Sequence, residues 1–279
     1  MAYKSLLTVL TDTEIAKAAL DKAIDVAQKE EAHLDVVCLG VDRTQTGYYY
    51  TGAGVVFQQE VIEKAKKEAE EAEAYANGVL QNSGLQFSIE KAVAQLAGLG
   101  RVVSHKARFS DLVILPRPYG KTHGQEQEII LEAALFEGSA PTLITSTEAS
   151  LNTEGLRVIV AWNESLEAMA AIRAALPMLQ AAESVNIAII DPPQHGPDRS
   201  DPGGALSQML ARHGVKTEIS ILAKTMPKVS DVLLRHARDI DADMLVMGAY
   251  GHSRFREAIL GGATRNMLES ANIPVFMAR

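Results

Sequence analysis

The chain has 279 residues, 47% of them apolar and 22% charged, with a formal net charge of −8 and one cysteine. That length admits two ordinary domains, and the composition is that of a folded chain rather than a disordered one. The acidic balance argues against a nucleic-acid partner and against docking on anionic membranes, and the lone Cys38 excludes an internal disulfide.

The chain opens with a short apolar run ending at Asp12, too short for a signal peptide, so a cytoplasmic protein is expected. No stretch approaches the ~18–20 apolar residues of a membrane span. Cys38 lies in Leu34-Asp-Val-Val-Cys-Leu39, a buried-strand pattern that predicts a core cysteine rather than a nucleophile. Tyr48-Tyr49-Tyr50, set between glycines, reads as a surface loop or as a lid or partner contact. The helical stretch Val61–Leu80 mixes Lys64, Lys66 and Lys67 with Glu68, Glu70, Glu71 and Glu73, the pattern of a solvated face. Apolar runs predict strands at about 4–11, 33–40, 85–91, 111–115 and 141–145 in the first half. In the second they fall near 156–162, 184–190, 215–222, 243–247 and 274–278. Helical segments alternate with them, which implies right-handed crossovers and a parallel sheet covered on both faces.

The two halves repeat. Asp111-Leu-Val-Ile-Leu-Pro116 resembles Asp243-Met-Leu-Val-Met-Gly248, and Pro141 stands in its strand as Pro274 does. Val9 aligns with Val160 and Pro141 with Pro274, so the first half is longer by 18 residues, a surplus placed around Arg43–Phe57 and the helix after it. Two α/β domains follow, 1–148 and 155–279, joined by the polar stretch Thr147–Gly155.

The strand Asp243–Met247 runs into Gly248-Ala-Tyr-Gly251, and nine residues later comes Gly261-Gly262-Ala263-Thr264, leading into a helix. Glycines between a strand end and a helix start let backbone N–H groups approach an anion, and the helix start adds unpaired donors. On spacing alone, this reads either as a phosphate cradle or as turn and cap glycines. Asn163, after the first strand of this half, can hydrogen-bond a ligand or cap the next helix. Trp162 reads as core, and His195, Asp198 and Asp201 as a solvated loop rather than a metal site.

These residues resemble the universal stress protein family, which carries Gly, two residues, Gly, nine residues, Gly and then Ser or Thr after its fourth strand. Gly248, Gly251 and Gly261 match that spacing, and the closing Pro274-led strand is similar to the family's last. The resemblance implies two tandem five-stranded, parallel, doubly wound, Rossmann-like domains of strand order 3-2-1-4-5. It also implies ATP or ADP, with or without Mg, held by Asn163, Gly248, Gly251, Gly261, Gly262, Ala263 and Thr264, with the backbone of Ile189 or Ile190 at the adenine edge. Gly262 departs from the family's Ser or Thr, which removes a hydrogen bond worth roughly 0.5–1.5 kcal/mol. Asn163 departs from its usual Asp. Of the loop residues, His252, Arg254 and Arg256 bring positive charge near the phosphates. Gly248→Val is expected to block the phosphate path while leaving expression soluble.

The first half lacks the pattern. Pro116 and Tyr119 stand at the first two glycine positions, Leu135-Phe136 is placed near the closing pair, and Asp12 reads as a helix cap. One nucleotide per chain is therefore expected. No full P-loop, nucleophile-elbow or zinc motif is present, nor the Ser-Gly-Gly loop of related adenylating enzymes. The resulting expectation is a stress-response sensor or regulator with an unidentified protein partner and no catalytic residue. A nucleotide-free scaffold and a slow ATP hydrolase are the alternatives. The last strands, Pro141–Thr145 and Pro274–Ala278, are expected to pair within one chain as a pseudo-dimer, with a homodimer through another surface also open.

Overall fold

The computed structural model describes residues 3–44, 54–120, 124–145, 155–192, 201–249 and 262–279. The Tyr48–Tyr50 segment, most of the Thr147–Gly155 linker and the loop from Tyr250 to Gly261 lie outside the described residues. The chain divides into two compact units, Tyr3–Thr142 and Leu143–Arg279.

In the first half, β1 (Ser5–Leu10), β2 (His33–Asp42), β3 (Phe87–Gln95), β4 (Leu112–Pro116) and β5 (Thr142–Thr145) alternate with helices. These are α1 (Thr13–Glu30), α2 (Gly54–Leu80), α3 (Leu96–Ala107) and α4 (Gln125–Glu132), the last running into a π-helical turn at Ala133–Glu137. The second half carries β6 (Arg157–Ala161), β7 (Ser184–Ile190), β8 (Thr217–Leu222), β9 (Met244–Gly248) and β10 (Val275–Ala278). Its helices are α5 (Leu166–Ala174), α6 (Leu176–Gln180), α7 (Gly204–Arg212), α8 (Val229–Asp239) and α9 (Ala263–Ser270). Strand order is β3-β2-β1-β4-β5 in one half and β8-β7-β6-β9-β10 in the other. β1 pairs with β2 and β4, β2 with β3, β6 with β7 and β9, β7 with β8, and β9 with β10, all in parallel.

The central strands are apolar on both faces because helices cover both, as parallel sheets require. Leu6, Leu10, Leu34 and Ile114 are fully buried in the first half, and Ile159, Val160, Ile187, Val246 and Phe276 in the second. The outer strands β3 and β8 instead mix half-buried with exposed positions. That is why β3 extends beyond the expected end at 91 to Gln95. Ala92 and Ala94 pair with β2 but carry little hydrophobic signal.

The repeat holds at the level of single atoms. Asp111 Oδ2 accepts from the N–H groups of Lys4 and Ser5 at 2.8 and 3.0 Å, and Asp243 Oδ2 accepts from Arg157 N–H at 2.8 Å. Each aspartate thus ties the amino end of the fourth strand of its half to that of the first. The carbonyl of Pro141 accepts from Val113 at 2.9 Å, as that of Pro274 does from Leu245 at 3.0 Å. The extra length of the first half shows in α2, which has 27 residues against nine in α7. Cys38 is fully buried in β2, and burial pushes its thiol up to about 12, so it is an inert core residue.

Candidate functional site

In a doubly wound sheet the strand order reverses at one point, and the carboxyl ends of the strands there form the ligand crevice. In the second domain that point lies between β6 and β9, which pair in parallel from Val158↔Met244 to Val160↔Val246. β6 ends at Ala161, and the chain turns through Trp162, Asn163 and Glu164, the last with φ 62°, into α5. Ser165, not Asn163, caps that helix: its Oγ accepts from Ala168 N–H at 3.1 Å. Asn163 Oδ1 accepts from Ser165 N–H at 3.2 Å, which fixes the amide at the surface and leaves its two N–H donors for another role. Trp162 is half-buried beside it rather than in the core, with its backbone N–H on Ala188 at 3.0 Å.

Gly248 closes β9 directly beneath the start of α5. A Cβ at this position would lie 2.5 Å from Ala168 N and 2.7 Å from the carbonyl carbon of Glu167. The absence of a side chain therefore lets α5 descend onto β9. Gly251 and Gly261 lie outside the described residues. Gly262 precedes α9 with φ −59° and ψ 157°, a conformation open to any residue, and as a glycine supplies no capping side chain of its own. Ala263 is exposed in its first turn, while Thr264 is only 3% exposed. Thus Asn163 and Gly248 come together at the reversal point, and Gly262 to Thr264 form the start of α9, which packs on α8.

Ile189 is placed differently. Trp162 N–H pairs with Ala188, and Asp191 N–H with Leu222 across the other edge of β7. By strand alternation the backbone of Ile189 faces β8, and that of Ile190 faces the β6 side. The Ile189 side chain packs where a Cβ on Gly203, before α7, would stand.

The matching region of the first domain is built of side chains. Asp12 caps α1, its Oδ1 accepting from Glu14 and Ile15 N–H at 2.8 and 3.1 Å, as its sequence position suggests. Thr11 Oγ1 accepts from Gln127 Nε2 at 2.5 Å, both residues buried. Arg43, following β2, donates from Nη2 and Nε to Glu126 Oε1 at 2.8 and 3.2 Å, and from Nη1 to both oxygens of Glu68 at 3.0 and 3.2 Å. Burial by itself would lower the Arg43 pKa, but the two carboxylates outweigh it and raise it. Burial pulls Asp42 upward, yet hydrogen bonds from Thr44 and Gln95 win and hold its carboxyl below the ordinary value. Leu135-Phe136 falls in the π-helical turn at the end of α4, not at its start, so its placement near the closing glycines is corrected. The residue at the helix start is Gly124, and the Glu126 carboxylate occupies the space its Cβ would take.

A second polar chain that the sequence did not reveal lies in the second domain. His236 Nε2, on α8, donates to Asn186 Oδ1 at 3.0 Å, and Asn186 Nδ2 donates to Ser220 Oγ at 2.9 Å. Burial lowers the His236 pKa, and nearby Arg235 adds to this against the opposing pull of Asp239. Among the described residues no group of three His, Cys, Asp or Glu could hold a metal ion, and no helix is long and apolar enough to cross a membrane.

Residues 156–279 match the Universal stress protein family. The second half of the chain belongs to that family. A universal stress protein of Synechocystis sp. is 33% identical over 76 residues, a match spanning 27% of this chain and 25% of that relative. Among solved structures, a universal stress protein from Archaeoglobus fulgidus superposes over 99% of this chain and 96% of its own, with a TM-score of 0.74 at 15% identity. A functionally unknown protein from Pseudomonas aeruginosa PAO1 follows with a TM-score of 0.60 at 17% identity, over 99% and 92% of the two chains. Both likenesses concern the fold, and both cover the two halves together. The universal stress protein half is thus set by sequence, and its first-half repeat by architecture.

Proposed function

We propose that the universal stress protein domain of this chain binds an adenine nucleotide, ATP or ADP, and works as a nucleotide-dependent sensor or regulator in a cytoplasmic stress response. The observation that carries this reading is the coincidence of the strand-order reversal with Asn163 and Gly248. The residues present fit such a ligand. Asn163 has two amide donors not engaged by Ser165, and α9 begins at Ala263 after Gly262, a helix N-terminus whose partial positive charge suits a phosphate. Gly248, Gly262, Ala263 and Thr264 line the phosphate end of this reading, with Gly251 and Gly261 assigned by spacing alone. At β7 the register favours the backbone of Ile190, not Ile189, as the group that meets the adenine. Mg would accompany the phosphates without a dedicated protein cage. No residue is assigned to catalysis, and a protein partner would read the nucleotide state.

Calorimetric titration with ATP, in the presence and absence of Mg, tests the reading. At ~100 Kd the nucleotide should stabilise the second domain by about 2.7 kcal/mol. The absence of both binding heat and a shift in Tm at millimolar ATP would refute it. Gly262→Ser should tighten binding roughly two- to tenfold by restoring one hydroxyl contact. The backbone angles at Gly262 accept serine without strain.

A further inference from the structure

The first domain's carboxyl edge contains a charged arrangement that neither the family match nor nucleotide binding by the second domain accounts for. Arg43 commits all three guanidinium nitrogens. Nε and Nη2 hold Glu126 at 3.2 and 2.8 Å, and Nη1 holds Glu68 at 3.0 Å and reaches the carbonyl of Val41 at 3.4 Å. Glu126 is 7% exposed, so its carboxylate has left water and depends on Arg43 for compensation. Its head group lies against Gly124, in space that any side chain there would fill. On one flank the buried Thr11–Gln127 pair ties the end of β1 to the first turn of α4. Guanidinium with two facing carboxylates is the geometry by which arginine recognises oxyanions, and here the oxyanions belong to the chain itself.

We propose that Glu126, assisted by Glu68, is a tethered occupant of an anion site at the carboxyl edge of the first domain, with Arg43 as its recognition group. The site is closed to phosphate-class anions while the two carboxylates hold it. The charges explain the closure. Two carboxylates over-compensate one guanidinium, so an incoming phosphate meets net negative charge. Replacing both carboxylates by amides leaves the same shape with one positive charge facing the crevice.

The test is inorganic pyrophosphate binding to the full-length chain by calorimetry, comparing wild type with Glu68→Gln/Glu126→Gln. The double variant should bind one more equivalent than wild type, with affinity falling at least tenfold between 50 mM and 500 mM salt. Adding Arg43→Gln should remove the extra equivalent. Circular dichroism establishes that each variant is folded. If the double variant does not fold, Glu126→Gln alone decides, and it should gain the same site more weakly. No extra equivalent in a folded variant would overturn the proposal. So would an extra equivalent that survives Arg43→Gln. Both readouts compare variants altered only in the first domain, so they stand whether or not the second domain binds ATP.

Discussion

The carboxyl ends of β1 and β4 and those of β6 and β9 occupy equivalent places in two copies of one topology, yet they are finished differently. In the first copy, side chains complete the edge: Thr11 with Gln127, Asp42 with Thr44 and Gln95, and Arg43 with Glu68 and Glu126. In the second, Asp191 accepts from Lys224 N–H at 3.0 Å past the ends of β7 and β8, while at the ends of β6 and β9 Gly248 has no side chain and the Asn163 carbonyl accepts from Ser165. The difference teaches that the fold does not need a ligand at this position. A repeat can satisfy this edge with its own charges, as the first one does through Arg43 and Glu126.

Breaking the arginine clamp should have the largest effect. Arg43→Met leaves the buried Glu126 carboxylate without its partner; because the Arg43 side chain is 43% exposed, the cost stays below the ~3–5 kcal/mol of a fully buried pair, at up to about 3 kcal/mol. Urea unfolding of the first domain should show a matching fall in midpoint. A shift below ~1 kcal/mol would mean that Glu126 does not depend on the clamp. Gly248→Val is expected next, at about 1–3 kcal/mol, because the new Cβ meets the backbone of α5. This loss should appear in thermal melts without nucleotide, which separates it from any effect on binding. Melts unchanged from wild type would place α5 farther from β9 than the geometry shows.

The smallest effect belongs to His236. Its folded-state pKa is lowered, so the unfolded chain takes up a proton at a higher pH than the folded one does. Above its ordinary value of about 6.5 both states are neutral and His236 has no influence on stability. As pH falls below that value, the unfolded state gains and stability declines, until the folded histidine also protonates. His236→Gln keeps a hydrogen bond to Asn186 within reach and should flatten this part of the pH profile relative to wild type. Parallel profiles for the two proteins would show that the half-buried imidazole titrates normally.

What could be read from sequence follows the range of the interactions. The strands were legible because buried parallel strands are short apolar runs. The repeat was legible because Asp111 and Asp243, and Pro141 and Pro274, hold backbone devices tied to fixed positions in each half. The site was legible only as spacing. The contact that explains Gly248 involves α5, far away in the chain, so a strand-end glycine alone does not announce it. The Arg43–Glu126 pair joins residues 83 apart, and Thr11–Gln127 joins residues 116 apart. Neither has a local pattern. Ile189 illustrates a different limit: adjacent strand residues face opposite neighbours, and only the observed register tells which one turns its backbone toward β6.

The contrast between the two edges reduces to a count. Equilibrium dialysis of the full-length chain against radiolabelled ATP, at concentrations spanning the micromolar to millimolar range, measures nucleotides bound per chain. The account predicts saturation at one, unchanged by Arg43→Met as long as that variant is folded. Saturation at two would show that the first-domain edge is open despite its clamp. No binding at all would contradict the assignment of Asn163, Gly248 and the start of α9 as a nucleotide site.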